Sequence, residues 1–151
     1  MLDRFERFSL AIMEISRHWH KLASEEMKKY GLKGTHCVYL LALARNGEGL
    51  TAPNLCEACG KDKSDVSRMM GIMEAKGLVR KEGGYQNRYG GVFLLTEQGS
   101  EVAEHIRCRA SQAVDLAGKD LTEEQRSIFY EALESIVANL RRLSEEGLPE
   151  V

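Results

Sequence analysis

The stretch that decides the fold is residues 50–81, "LTAPNLCEACGKDKSDVSRMMGIMEAKGLVRK". It reads as two short helices in close succession. Thr51 is an N-cap type, Pro53 suits a first helical turn, and Gly60 suits a C-terminal stop. Asp62 caps the next helix and Gly77 closes it. Within that helix Val66, Met69, Met70 and Met73 fall at i, i+3, i+4 and i+7, so one face is apolar. Two helices joined by a tight glycine-containing turn form a helix-turn-helix. The second helix carries Ser64, Asp65, Ser67 and Arg68 on its outward, N-terminal end, where recognition helices meet base edges. Short hydroxyls can bond phosphates or bases, and an arginine can make a bidentate contact to guanine. Gly71 costs roughly 0.5–1 kcal/mol against alanine in a helix. Its place there calls for either close helix packing or close DNA approach.

Downstream, "LVRK" and "GVFLL" are short β-runs, and the glycine-rich "EGGYQNRYG" between them predicts a hairpin loop. A helix-turn-helix followed by a two-stranded hairpin is a winged helix. Upstream, Phe5, Phe8, Ile12, Ile15, Trp19 and Leu22 step by threes and fours, predicting a helix from about Asp3 to Tyr30. "GLKGT" ends it, and a helix from Thr35 to Arg45, apolar nearly all round, follows. After the wing, Thr96 caps a long helix bearing Val102, Ala103, Ile106, Ala110, Ala113 and Ala117 on one side. "GKD" breaks it, and Thr122 with Gln125 forms a capping-box pattern. The last helix carries Phe129, Leu133, Ile136, Leu140 and Leu143. One small middle domain cannot bury both terminal stripes, so they are expected to pack on each other across a dimer. The alternative is an intramolecular helical bundle. The reading is therefore mostly α with a small β-hairpin, divided into an N-terminal dimerisation helix (1–34), a winged-helix lobe (35–95) and C-terminal dimerisation helices (96–151).

Composition is consistent with this. The 151 residues are 43% hydrophobic and 29% charged, enough apolar material for a core and unlike a disordered chain. No run of 18 uncharged apolar residues occurs, so no membrane span is predicted. The charged N-terminus lacks the apolar core of a signal peptide, and a cytoplasmic location is the expectation. The net charge of −2 hides an asymmetry: from Thr51 to Gly91 seven basic residues stand against five acidic ones. That segment permits a polyanionic partner. There is no phosphate-binding glycine loop, nucleophile elbow or HExxH motif, so an enzyme is not expected.

The order of elements resembles the MarR family of bacterial transcriptional regulators. The residues that carry the resemblance are residues 50–81, the wing, and "LLTEQG" opening the next helix. The flanking helices match the family's dimerisation helices in order and length. The resemblance implies a homodimeric winged-helix protein that binds double-stranded DNA. Such a protein is usually a repressor of a nearby gene, released by a small ligand or by oxidation. Candidate DNA contacts are Thr51, Asn54, Lys61, Lys63, Ser64, Asp65, Ser67, Arg68 and Arg88. The family's wing carries an Asp-Arg-Arg run. Here those places hold Asn87, Arg88 and Tyr89, so only the central arginine is kept. Lys61 stands where an apolar residue usually follows the turn glycine. The rival reading is a winged-helix protein-interaction module that no longer reads DNA.

Four cysteines in a reducing compartment are expected to be free thiols. Cys56-x-x-Cys59 has metal-like spacing but no second pair, and reads as core packing. Glu101, His105 and Cys108 lie at i, i+4 and i+7, while His36 and Cys37 open the second helix. Together these five are candidates for a zinc-like metal site or a redox sensor. A small organic effector is the alternative.

Overall fold

The computed structural model describes residues 1, 3–84 and 90–150. It divides into two compact units, Met1–Ala110 and Ser111–Val151. The first unit begins with α1 (Arg4–Lys28), whose N-cap Asp3 forms a reciprocal capping box with Glu6. A 3-10 turn (Gly34–His36) leads into α2 (Cys37–Arg45), followed by β1 (Leu50–Thr51), α3 (Ala52–Cys59), α4 (Lys63–Ala75), β2 (Val79–Glu82), β3 (Val92–Leu95) and α5 (Glu97–Ala117). The boundary between the units falls within α5. The second unit contains α6 (Glu123–Glu146), and the Thr122–Gln125 capping box opens it as the sequence predicts.

The hairpin expected from the sequence is part of a three-stranded antiparallel sheet in the order β1-β3-β2. β1 is the unforeseen strand, pairing Leu50 with Phe93 and Thr51 with Val92. It is two residues long, too short to show a period of two, so only its partner reveals it. On the other side of β3, Val79 opposes Leu95 and Glu82 opposes Val92.

The core of the first unit gathers one apolar face from each element. Met27 of α1, Tyr39, Leu40 and Leu43 of α2, Leu55 of α3, and Val66, Met70 and Met73 of α4 are almost wholly buried. Val79, Phe93, Val102 and Ile106 complete the cluster. The apolar stripes of the terminal helices behave differently. Phe5, Phe8, Ile12, Ile15, Trp19 and Leu22 are all exposed in the single chain. In the second unit Phe129, Leu133, Ile136 and Leu140 are exposed as well, and α6 has no buried residue. Among the described residues no helix is long and apolar enough to cross a membrane.

Candidate nucleic-acid interface

Local chemistry sets the angle between α3 and α4. Thr51 Oγ1 accepts from the Asn54 N–H at 3.3 Å, fixing the start of α3. Gly60, in the left-handed region at φ 62°, ends α3, and the Lys61 N–H donates to the Cys56 carbonyl at 3.0 Å. Asp62 Oδ1 then accepts from the Asp65 N–H at 2.8 Å and starts α4. Burial of Val66, Met69, Met70 and Met73 leaves Lys63, Ser64, Ser67, Arg68 and Gly71 on the open side. Asn54 and Lys61 are exposed, and Thr51 is half-buried. Arg88 lies outside the described residues. Of the other wing cations, Arg80 pairs with Glu82, and the Lys81 ammonium sits 5.3 Å from the Phe93 ring centroid.

Asp65 is not an open contact. The buried Tyr39 hydroxyl donates to its Oδ2, and Arg68 Nη2 donates to its Oδ1 at 2.8 Å. The Tyr39 hydrogen bond first, and the Arg68 hydrogen bond after it, hold the Asp65 carboxyl below its ordinary range despite some desolvation. Arg68 keeps 67% of its side chain exposed. At its N-terminal half the outward face is therefore two hydroxyls and two exposed cations, with the Asp65 carboxylate held by Tyr39 and Arg68, and Gly71 follows.

Gly71 has open space around it: a Cβ added there would meet nothing within 4 Å apart from its own helix backbone. Close helix packing is thus not what requires it. Gly71→Ala is expected to raise the stability of the free protein by roughly 0.5–1 kcal/mol and to weaken DNA binding. Paired urea melts and binding titrations check both signs.

The candidate sensor residues are held by separate partners. The His105 ring meets Tyr30 edge-on at 6.1 Å, with its Nε2 3.9 Å from Glu26. Cys108 Sγ points to Glu104 Oε1 at 3.5 Å, and Glu101 is exposed. Cys37 is packed against the core, and burial pushes its thiol pKa up. Among the described residues no group of three or more His, Cys, Asp or Glu side chains is placed to hold a metal ion. Sharing a helix face brings side chains level, but Glu26 and Glu104 draw His105 and Cys108 to different neighbours. Cys56 and Cys59 are free thiols packed against the core, and Cys59 Sγ lies 3.9 Å from the Val38 carbonyl.

His36 is buried, at 2% exposure. The Lys33 N–H donates to its Nδ1 at 3.0 Å, while Nε2 has no hydrogen-bond partner. Burial is the largest cause lowering its pKa, with the Lys33 and Lys76 charges adding to the effect, while the Lys33 carbonyl, 3.2 Å from Nδ1, and Asp65 oppose it. The folded state therefore favours the neutral ring. In the unfolded chain the ring takes up a proton near 6.5. Stability is complete above that pH and falls as the pH drops through the lower folded value, by up to about 1.4 kcal/mol per pH unit. His36→Asn is expected to remove this part of the acid dependence between pH 7.5 and 5.5. Equal slopes in urea melts of the two proteins would refute it.

Sequence reading alone did not find a second feature of this unit. A cavity of about 930 Å³ is lined by α1, the 32–35 turn, α2 and the end of α3. Trp19, Leu41 and Val38 supply apolar wall, and Lys28, Lys33, Arg45 and Lys61 supply cations. Cys37 and Cys59 also line it. These residues come from four separate segments, so no local pattern joins them.

Residues 30–88 match the MarR family model. That segment, from the end of the first helical region into the wing, is similar to the MarR family. The likeness to solved MarR-family structures extends beyond that segment. A regulator from Methanosarcina mazei Go1 superimposes with a TM-score of 0.81 at 20% identity, covering 91% of this chain and 99% of its own. AbsC from Streptomyces coelicolor gives 0.74 at 25% identity, covering 93% and 97%. A putative regulator from Listeria monocytogenes, solved with a 26mer DNA, gives 0.77 at 21% identity, covering 100% and 99%. No curated protein sequence matches significantly. In the fold these structures share, α3 and α4 form the helix-turn-helix, and β2 and β3 are the strands of the wing.

Proposed function

We propose that this chain is a sequence-specific DNA-binding repressor of the MarR family. It acts in the cytoplasm as a homodimer on a pseudo-palindromic operator and is released by an effector. The observation that carries the reading is the outward face of α4. Arg68 projects into solvent from the N-terminal half of a helix whose opposite face is core, with Ser64 and Ser67 beside it. The Listeria relative with its 26mer DNA supports the same mode of use. The exposed stripes of α1 and α6 support a second copy as the dimer partner. The cationic, partly apolar cavity supports an anionic amphiphile as effector.

The test is a salt-dependent binding titration on DNA from upstream of its own gene. Arg68→Ala is expected to cost about 1–3 kcal/mol and to relax preference at one position per half-site, with half-sites roughly 34 Å apart. A uniform loss on all sequences would make Arg68 a phosphate contact. The absence of salt-dependent DNA binding would favour the protein-interaction module instead.

A further inference from the structure

Tyr39 is wholly buried in the first unit, on a helix that does not belong to the helix-turn-helix. Its hydroxyl nevertheless reaches the recognition helix and donates to Asp65 Oδ2. The other oxygen of that carboxylate, Oδ1, accepts from Arg68 Nη2 at 2.8 Å. The Asp65 backbone N–H is in turn held by the Asp62 cap at 2.8 Å. The carboxylate is thus fixed at both ends of its side chain, by the cap through the backbone and by the core through a phenol.

An exposed aspartate–arginine pair one turn apart on a helix is weak and short-lived by itself, because both side chains rotate freely and water screens the charges. Anchoring the carboxylate to a buried hydroxyl removes the freedom of one partner. Arg68 then has a fixed acceptor for one nitrogen of its fork, while its remaining N–H groups stay free to face a base. Burial first, and the Asp65 carboxylate after it, push the Tyr39 pKa up, so the phenol remains a donor at any working pH.

We propose that Tyr39 is a positioning residue for DNA reading: through Asp65 it sets the direction of the Arg68 guanidinium, and so the base preference of a helix it does not belong to. This rests on the DNA-reading function proposed above. A merely structural role is the contrasting view, since a buried tyrosine needs some partner for its hydroxyl. The two differ in what Tyr39→Phe changes. A structural role predicts lower stability with binding weakened evenly on all sequences. A positioning role predicts a change confined to the base that Arg68 faces.

The experiment is selection of sites from a random duplex library by the full chain, followed by binding titrations on every single-base variant of the selected site. Tyr39→Phe is expected to lose discrimination at one position per half-site by roughly five- to tenfold, with the slope of log K against log salt unchanged. Asp65→Asn is the second variant. Its amide oxygen can still accept from Tyr39, but its NH2 cannot accept from Arg68, so the same position should relax even if Tyr39→Phe folds poorly. In an Arg68→Ala background neither change should alter that position further. Unaltered preference in both Tyr39→Phe and Asp65→Asn, or an even loss across all variants, overturns the proposal while leaving DNA reading intact. A wild-type chain that selects no sequence removes the DNA-reading function, and this inference with it.

Discussion

A chain lacking residues 1–20 is expected to aggregate instead of forming the proposed dimer. The segment carries Phe5 at 73% exposure, Ile15 at 63% and Trp19 at 41%, with Phe8 and Ile12 between them. Monomeric proteins rarely leave a contiguous apolar patch larger than a few hundred Å² in water. Covering the exposed part of each side chain contributes about 25 cal/mol per Å² of apolar surface removed from water. The partner surface in this reading includes the apolar stripe of α6, where Phe129, Leu133, Ile136 and Leu140 remain exposed. Deleting the first stripe leaves the second without cover. The rest of the first unit keeps its core, because Met27 is the wholly buried residue of α1 and lies beyond the cut. Sedimentation velocity of the full and shortened chains distinguishes the outcomes. A soluble, folded, monomeric truncation would refute a dimer built on these helices.

Gly99→Ala is expected to be among the most damaging single substitutions in the first unit. A Cβ at this position would overlap the Leu78 carbonyl oxygen and lie 2.9 Å from its carbonyl carbon. Both sides of that clash are backbone, so no side-chain rotation relieves it. The contact is close because Thr96 clamps the start of α5 onto the turn before β2. Its Oγ1 accepts from the Gly99 N–H at 3.0 Å and donates to the Gly77 carbonyl at 2.6 Å. Its own N–H donates to the Leu78 carbonyl at 3.0 Å. Separating the two segments breaks that clamp and opens the core beneath Leu78. A loss of about 3 kcal/mol or more is expected, as for severe overpacking. Urea denaturation measures it, with Gly71→Ala as a helical control of opposite sign. Wild-type stability in Gly99→Ala would show that α5 can move away at little cost.

What the sequence determined by itself is local. Thr51, Asp62 and Thr122 each cap the helix expected of them, because a cap needs only a side-chain oxygen within three residues of a free N–H. The buried side of α4 follows from the spacing of Val66, Met69, Met70 and Met73, since a helix turns about 100° per residue wherever it lies. The order of two helices and a hairpin was legible for the same reason, and the resemblance to the MarR family rests on that order.

What only the tertiary structure decided depends on residues far apart in the chain. β1 exists because β3 offers it an edge. Spacing puts Asp65 on the open recognition face, and only the packing brings the Tyr39 hydroxyl to its carboxylate; a tyrosine in the apolar run "CVYLLALA" signals a buried hydroxyl but not its partner. The i, i+4, i+7 spacing of Glu101, His105 and Cys108 aligned three potential ligands; only the packing shows that His105 lies beside Glu26 and that Cys108 faces Glu104. Gly99 ends the "LLTEQG" that opens α5, and its need for no side chain comes from a carbonyl outside that helix. Periodicity reports which face of an element is apolar. Which polar group meets which, and where two backbones touch, is set by the packing of several elements at once, and no stretch of this sequence carries that information alone.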